Sequence, residues 1–226
     1  MQLIPIKATL LSPLQYHTVA ITRGTKTGGF LGDLAMSYAI CQRTGEMDYT
    51  RTDNDKPNYK ELKESPYLAT VFKPATSVKY LDSMVRNTMM SGDTLGVAEG
   101  PEIKEKHKKE SGQSMYSRLY TVKPLAPDNS FLGYIFKQED KQIPETIRMG
   151  NQSQGLIKLQ RVDKDDIGLV WSNLYTLQQV IGKEKVTLKD EMEVEKQAHQ
   201  YRIVKNVPLK TIINWYSELF EEIQQE

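Results

Sequence analysis

Apolar residues recur along this chain with two spacings, and the spacings predict the elements. The opening "QLIPIKATLL" carries Leu3, Ile4, Ile6 and Leu10 and predicts a strand over 2–11. From Phe30 the period lengthens. Phe30, Leu34, Tyr38 and Cys41 fall at helical spacing and predict a helix with one apolar stripe. Asp33 sits in its first turn, the end that favours an acid, and Gly45 is a stop signal. "SPLQYHTVAITRGTKTGG" between them reads as a long connection carrying Arg23 and Lys26. "EMDYTRTDNDKPNYKE" reads as a polar surface loop. "YLATVF" (67–72) reads as a short strand cut by Pro74, and "KYLDSMVRNTMMSGD" fits either helix or extended chain.

The segment 103–118 is the most basic in the chain. Lys104, Lys106, Lys108, Lys109 and Arg118 stand against Glu105 and Glu110 with few apolar anchors, which predicts an exposed projection. Two strands follow, "SRLYTVKPL" and "FLGYIFKQ", joined by the turn sequence "APDN". In "PETIRMGNQSQGLIKLQ" (144–160) an alternating run ends at Ile147. Arg148, Gly150 and a row of small or polar residues come next, and a strand is predicted over 156–162. "DDIGLVWSNLYTLQQVI" is apolar without a settled period. "YRIVKNVP" reads as a late strand. The final helix begins near Leu209, with Ile212, Tyr216, Leu219 and Ile223 on one face and Glu218, Glu221 and Glu222 away from it. This order predicts an α+β fold, a ferredoxin-like antiparallel sheet with long insertions.

Composition narrows the function. The 226 residues are 38% hydrophobic and 26% charged, a globular balance with enough chain for one large domain or two small ones. Net charge is +1, so any polyanion must be met by local patches. Cys41 is the only cysteine, which precludes an internal disulfide and suits a reducing cytoplasm. No apolar run approaches the ~20 residues of a membrane span, and the N-terminus reads as a strand rather than a signal peptide.

The candidate chemistry is sparse. His17, His107, His199 and Cys41 have no metal-ligand spacing, and "GTKTGG" has the wrong order for a phosphate-binding loop. No cofactor is expected. "KEKHKK" places His107 among lysines, with Tyr116 and Tyr120 downstream. Metal-independent ribonucleases use such groups, and a solvated basic loop has the same composition. Cations near Tyr16, Phe72, Tyr116 and Tyr120 suit phosphate contact with base stacking, or equally half-buried strand tyrosines beside surface charge.

The succession of segments resembles the Cas-five family of CRISPR-associated proteins (RAMP superfamily), in its type I-D branch. The matching segments are "GFLGDLAMSYAICQRTG", "YLATVFKPA" followed by "RNT", "YTVKPLAPDNSFLGYIFKQ", and "IPETIRMGNQSQGLIKL", which is similar to an "IRLGKxxSK" element. Order and spacing hold over 2–162, and the last sixty residues follow loosely. The resemblance implies one domain over 1–226, built on a modified RNA-recognition-motif sheet. Residues 100–118 would be a basic thumb and 208–226 a C-terminal helix. It implies a non-catalytic subunit of a type I effector (Cascade-like) complex. That subunit would hold the 5′ handle of the CRISPR RNA and cap a filament of Cas-seven-type subunits. It would also contact a large subunit of the Cas-ten or Cas-eight type, near where target DNA enters beside the protospacer-adjacent motif. One branch of the family, type I-C, does cut RNA, so precursor processing around His107 is the alternative.

Taking the loop cations beside aromatics together with the resemblance, the expected RNA-contacting residues are Arg23, Lys26, Lys73, Arg86, Asn87, Arg118, Tyr120, Arg148, Asn151 and Gln154, with Lys104, Lys106, Lys108 and Lys109 on the thumb. Asn151 and Gln154 stand where the family element has lysines. At this loop Arg148 is expected to grip a phosphate. Gly150 and Gly155 are expected to admit the RNA backbone, and the amides to bond sugar or base edges.

Overall fold

The computed structural model describes residues 2–16, 18–21, 24–46, 59–87, 119–150, 153–182, 186, 188, 192–198 and 201–224. Its elements in chain order begin with β1 (Gln2–Leu10), β2 (Thr18–Ile21), β3 (Gly24–Thr27) and α1 (Asp33–Thr44). A 3-10 turn (Tyr59–Glu64), β4 (Tyr67–Ala69), β5 (Lys73–Pro74), β6 (Met84–Asn87), β7 (Leu119–Lys123) and β8 (Ser130–Lys137) follow. The chain continues through β9 (Thr146–Met149), β10 (Gly155–Arg161), β11 (Val170–Asn173), β12 (Val194–Ala198), β13 (Tyr201–Val207) and α2 (Leu209–Gln224).

The main sheet is antiparallel, in the order β4-β8-β1-β10-β9, and β5 also pairs with β8. In β1 the alternation of side chains sends Ile6, Ala8 and Leu10 to one face, where they are buried. Helix α1 covers that face. Met36, Ala39, Ile40 and Cys41 join them in one core with Ile135, Ile147 and Ile157. Leu3, Leu132, Tyr134 and Phe136 lie on the other face and join Val204, Val207, Ile212 and Tyr216 of the C-terminal segments. The Phe136 and Tyr216 rings stack there, 4.7 Å apart at 17°. Such a pair is worth about 0.5–1.5 kcal/mol beyond its buried area. The C-terminal segments form their own sheet, β11-β13-β12, and β2-β3-β7-β6 form a third. No helix among the described residues is long and apolar enough to cross a membrane.

Several elements depart from the sequence expectations. The connection after β1 contains a hairpin, β2–β3, because the β-branched "TVAI" pairs with "GTKT" despite the glycines around it. Helix α1 starts at Asp33. Phe30 lies outside it and packs edge-on against Tyr201, their centroids 5.5 Å apart. Its single stripe is also revised, since Leu34 enters one core while Met36, Ile40 and Cys41 enter the other. A helix clamped between two packed layers buries most of its circumference. The strands around "APDN" part company, β7 to the small sheet and β8 to the main one. Buried Asn129 holds that divergence. Its Nδ2 donates to the Lys79 and Ala126 carbonyls at 2.7 and 2.8 Å, and its Oδ1 accepts from Lys79 N at 2.9 Å. The unsettled 165–181 region resolves into β11 and a π-helical turn at Thr176–Val180. Residues 84–87 are extended.

Candidate nucleic-acid interface

The β9–β10 hairpin carries Arg148. Along β9, Ile147 and Met149 point into the core, so strict alternation leaves Arg148 between them exposed. Met149 pairs with Gly155 and Arg148 with Leu156, which leaves 150–154 as the loop. The hairpin base is held from below by residues 11–15. Ser12 Oγ donates to the Gln154 carbonyl at 3.0 Å and accepts from Leu156 N at 2.8 Å, while Leu11 N donates to the Leu156 carbonyl at 2.8 Å.

The two glycines serve this internal contact. Gly150 has φ +91°, and a Cβ there would lie 2.6 Å from Leu14 Cδ1 and 2.7 Å from the Gln15 carbonyl oxygen. A Cβ on Gly155 would lie 2.4 Å from Leu14 Cδ1. The space read from sequence as an approach path for RNA is therefore filled by Leu14.

Leu14 also joins the hairpin to the small sheet. Its amide donates to the Leu125 carbonyl at 3.1 Å, and the Leu125 amide returns the bond at 2.9 Å. Four expected RNA contacts lie on this sheet. Lys26 on β3 sits beside Lys123 of β7 in register, with its Nζ 5.5 Å from the centroid of the Tyr80 ring. Arg86 lies opposite Tyr120, and Asn87 opposite Leu119. Lys123 is a cation that the sequence reading passes over, because no local pattern sets it apart from the rest of the strand "SRLYTVKPL".

Other expected contacts turn inward. Lys73 Nζ donates to the carbonyls of Ile167 and Leu169, at 2.5 and 2.7 Å, and burial holds its pKa below the ordinary lysine value. Two of its three donors are thus committed to the turn before β11. Phe72 is fully buried against Gly133, where a Cβ would lie 2.6 Å from its ring. The Tyr16 hydroxyl donates to the Phe30 carbonyl and accepts from Gly32 N at 3.1 Å. These two rings are core rather than stacking platforms. Gln154 is exposed, with its carbonyl held by Ser12. Arg23, Arg118, Asn151, the thumb lysines and the three histidines lie outside the described residues.

A cleft of about 420 Å³ opens between α1 and β9. It is lined by Gln42 and Arg43 from the helix, Thr146 and Arg148 from the strand, and Ser153 and Leu156, with no acidic residue among the described ones. Among the described residues, no group of His, Cys, Asp or Glu is placed to hold a metal.

The acid that the sequence assigned only to a helix terminus is buried, with 1% of its surface exposed. Asp33 accepts from Thr176 Oγ1 and from Asn173 Nδ2, the latter at 3.0 Å. Burial raises its pKa to about 6, against the pull of these hydrogen bonds. It ties the start of α1 to the C-terminal segments, 140 residues further along.

The comparisons bear on the whole chain. No curated protein matches it. A chain in the cryo-EM structure of the Type III-B Cmr-beta bound to cognate target RNA and AMPPnP is similar at 10% identity and a TM-score of 0.41. That similarity covers 94% of this chain and 88% of the other. The family described as "Type I-D CRISPR-associated protein Cas5/Csc1" matches residues 1–216, including the C-terminal segments that the sequence motifs left loosely placed. This protein therefore belongs to the type I-D Cas5/Csc1 family of CRISPR-associated proteins.

Proposed function

We propose that the chain is a non-catalytic, RNA-holding subunit of a type I CRISPR effector complex, and that it grips the 5′ handle of the CRISPR RNA. It caps the backbone filament and meets the large subunit near the point where target DNA enters. The observation that carries the reading is Arg148. Its guanidinium stands exposed on a hairpin whose base is pinned by Ser12 and Leu14. A forked cation on a rigid base suits bidentate contact with a phosphate. Lys26 and Lys123 add two neighbouring cations on the sheet that Leu14 also braces.

The strand order supports the same reading. β10-β1-β8-β4, with α1 between β1 and β4 in the chain after the inserted β2–β3 hairpin, follows the order of a ferredoxin-like or RNA-recognition-motif sheet. The β9 hairpin stands where such a sheet has its second helix. On this reading 1–226 is one domain, 100–118 is its thumb and α2 its closing helix.

Electrophoretic binding of labelled repeat RNA in EDTA tests the function. Arg148→Ala should weaken handle binding by about 1–3 kcal/mol, with the fold intact and no cleavage. Unchanged affinity would remove Arg148 from the interface. Metal-independent cleavage that disappears in His107→Ala would reassign the chain as a processing ribonuclease.

A further inference from the structure

We infer that the cleft between α1 and the outer edge of β9 is a phosphodiester site, in which Arg43 and Arg148 close on one phosphate of the bound RNA. The inference rests on the RNA-holding reading and adds to it a second cationic arm and a location. Arg43 lies in the helical segment "GFLGDLAMSYAICQRTG", where the sequence reading gave it no role. It comes from the last turn of a helix and Arg148 from a strand more than a hundred residues later, and the fold brings both to one cleft.

Neither arginine has an ion-pair or hydrogen-bond partner among the described residues. The structure accounts for this. An arginine in the last helical turn usually serves the helix's own free carbonyls. Here Thr44 Oγ1 donates to the Ile40 carbonyl at 3.0 Å. The amides of Gly45 and Glu46 both donate to the Cys41 carbonyl. Glu46, the acid that follows the helix, is taken by Lys141 at 2.9 Å. Glu145 forms no ion pair with Arg148.

Two guanidinium groups therefore share a cleft with neutral hydrogen-bonding residues and, among the described residues, no carboxylate. Like charges in that arrangement repel, and a bound anion would relieve the repulsion. The neutral lining, Gln42, Thr146 and Ser153, favours a nucleotide over a carboxylate side chain, since its amide and hydroxyls can bond the sugar beside the phosphate.

The test uses the full chain and fluorescence anisotropy with two probes, labelled repeat RNA and a labelled poly-glutamate peptide, over roughly 50–200 mM salt. Arg43→Ala and Arg148→Ala should each weaken RNA binding about tenfold. Each should lower the salt slope by about one. The double variant should lose less than the product of the singles, because both arms act on one phosphate. Arg43→Lys should restore part of the affinity by charge without the fork. Loss with Arg148→Ala alone would overturn the two-arm site and leave the RNA reading standing. RNA binding indifferent to both variants overturns the site as well. Variants that lose only the peptide would make the cleft an acidic-peptide groove and overturn the assignment. A full chain that binds no RNA overturns both readings.

Discussion

Replacing Asp33 with asparagine isolates a single buried charge. The carboxylate is 1% exposed, and burial moves its pKa from the ordinary 3.8 to about 6. The rings of Tyr16, Tyr201 and Tyr216 lie close enough to feel its charge. The folded state therefore binds this proton more tightly than the unfolded state. The stability that goes with protonation is complete below about pH 3.8 and is lost as the pH rises through about 6. A shift of about two units, at about 1.4 kcal/mol each, makes that loss about 3 kcal/mol. The asparagine keeps the shape and cannot titrate. Urea unfolding of wild type and Asp33→Asn between about pH 4 and 7.5 should show their stability difference changing by about 3 kcal/mol across the window. The change should run toward relatively weaker wild type at high pH. Taking the difference between the two proteins cancels the other carboxylates. Parallel profiles would refute the reasoning, because they would mean the carboxyl keeps its ordinary pKa and is solvated in the native state.

Other expectations follow from the same contacts. Gly155→Ala inserts a Cβ 2.4 Å from Leu14 Cδ1 and should destabilise the protein by about 1–3 kcal/mol while lowering RNA affinity. Wild-type stability in thermal unfolding would contradict the bracing role given to Leu14. Lys73→Met leaves the Ile167 and Leu169 carbonyls without their donor and should cost about 1 kcal/mol in denaturant unfolding. Its RNA affinity should stay that of wild type, and a large loss would return Lys73 to the interface.

The sequence by itself determined the elements that a local pattern can carry. Alternation around Ile6, Ala8 and Leu10 marks β1, Gly45 ends α1 in the left-handed conformation, and α2 follows from Ile212 and Tyr216. It also singled out Arg148, because a cation beside a glycine at a strand end is visible in one line of sequence. Only the tertiary structure decided what depends on residues far apart in the chain. It sent β7 and β8 to different sheets and gave the space beside Gly155 to Leu14. It turned Lys73 and Tyr16 inward, made Asp33 a buried tie to Asn173 and Thr176, and set Arg43 beside the Arg148 cleft. The physical reason is that periodicity reports which face of an element is buried, whereas the partner that buries it is chosen by long-range packing.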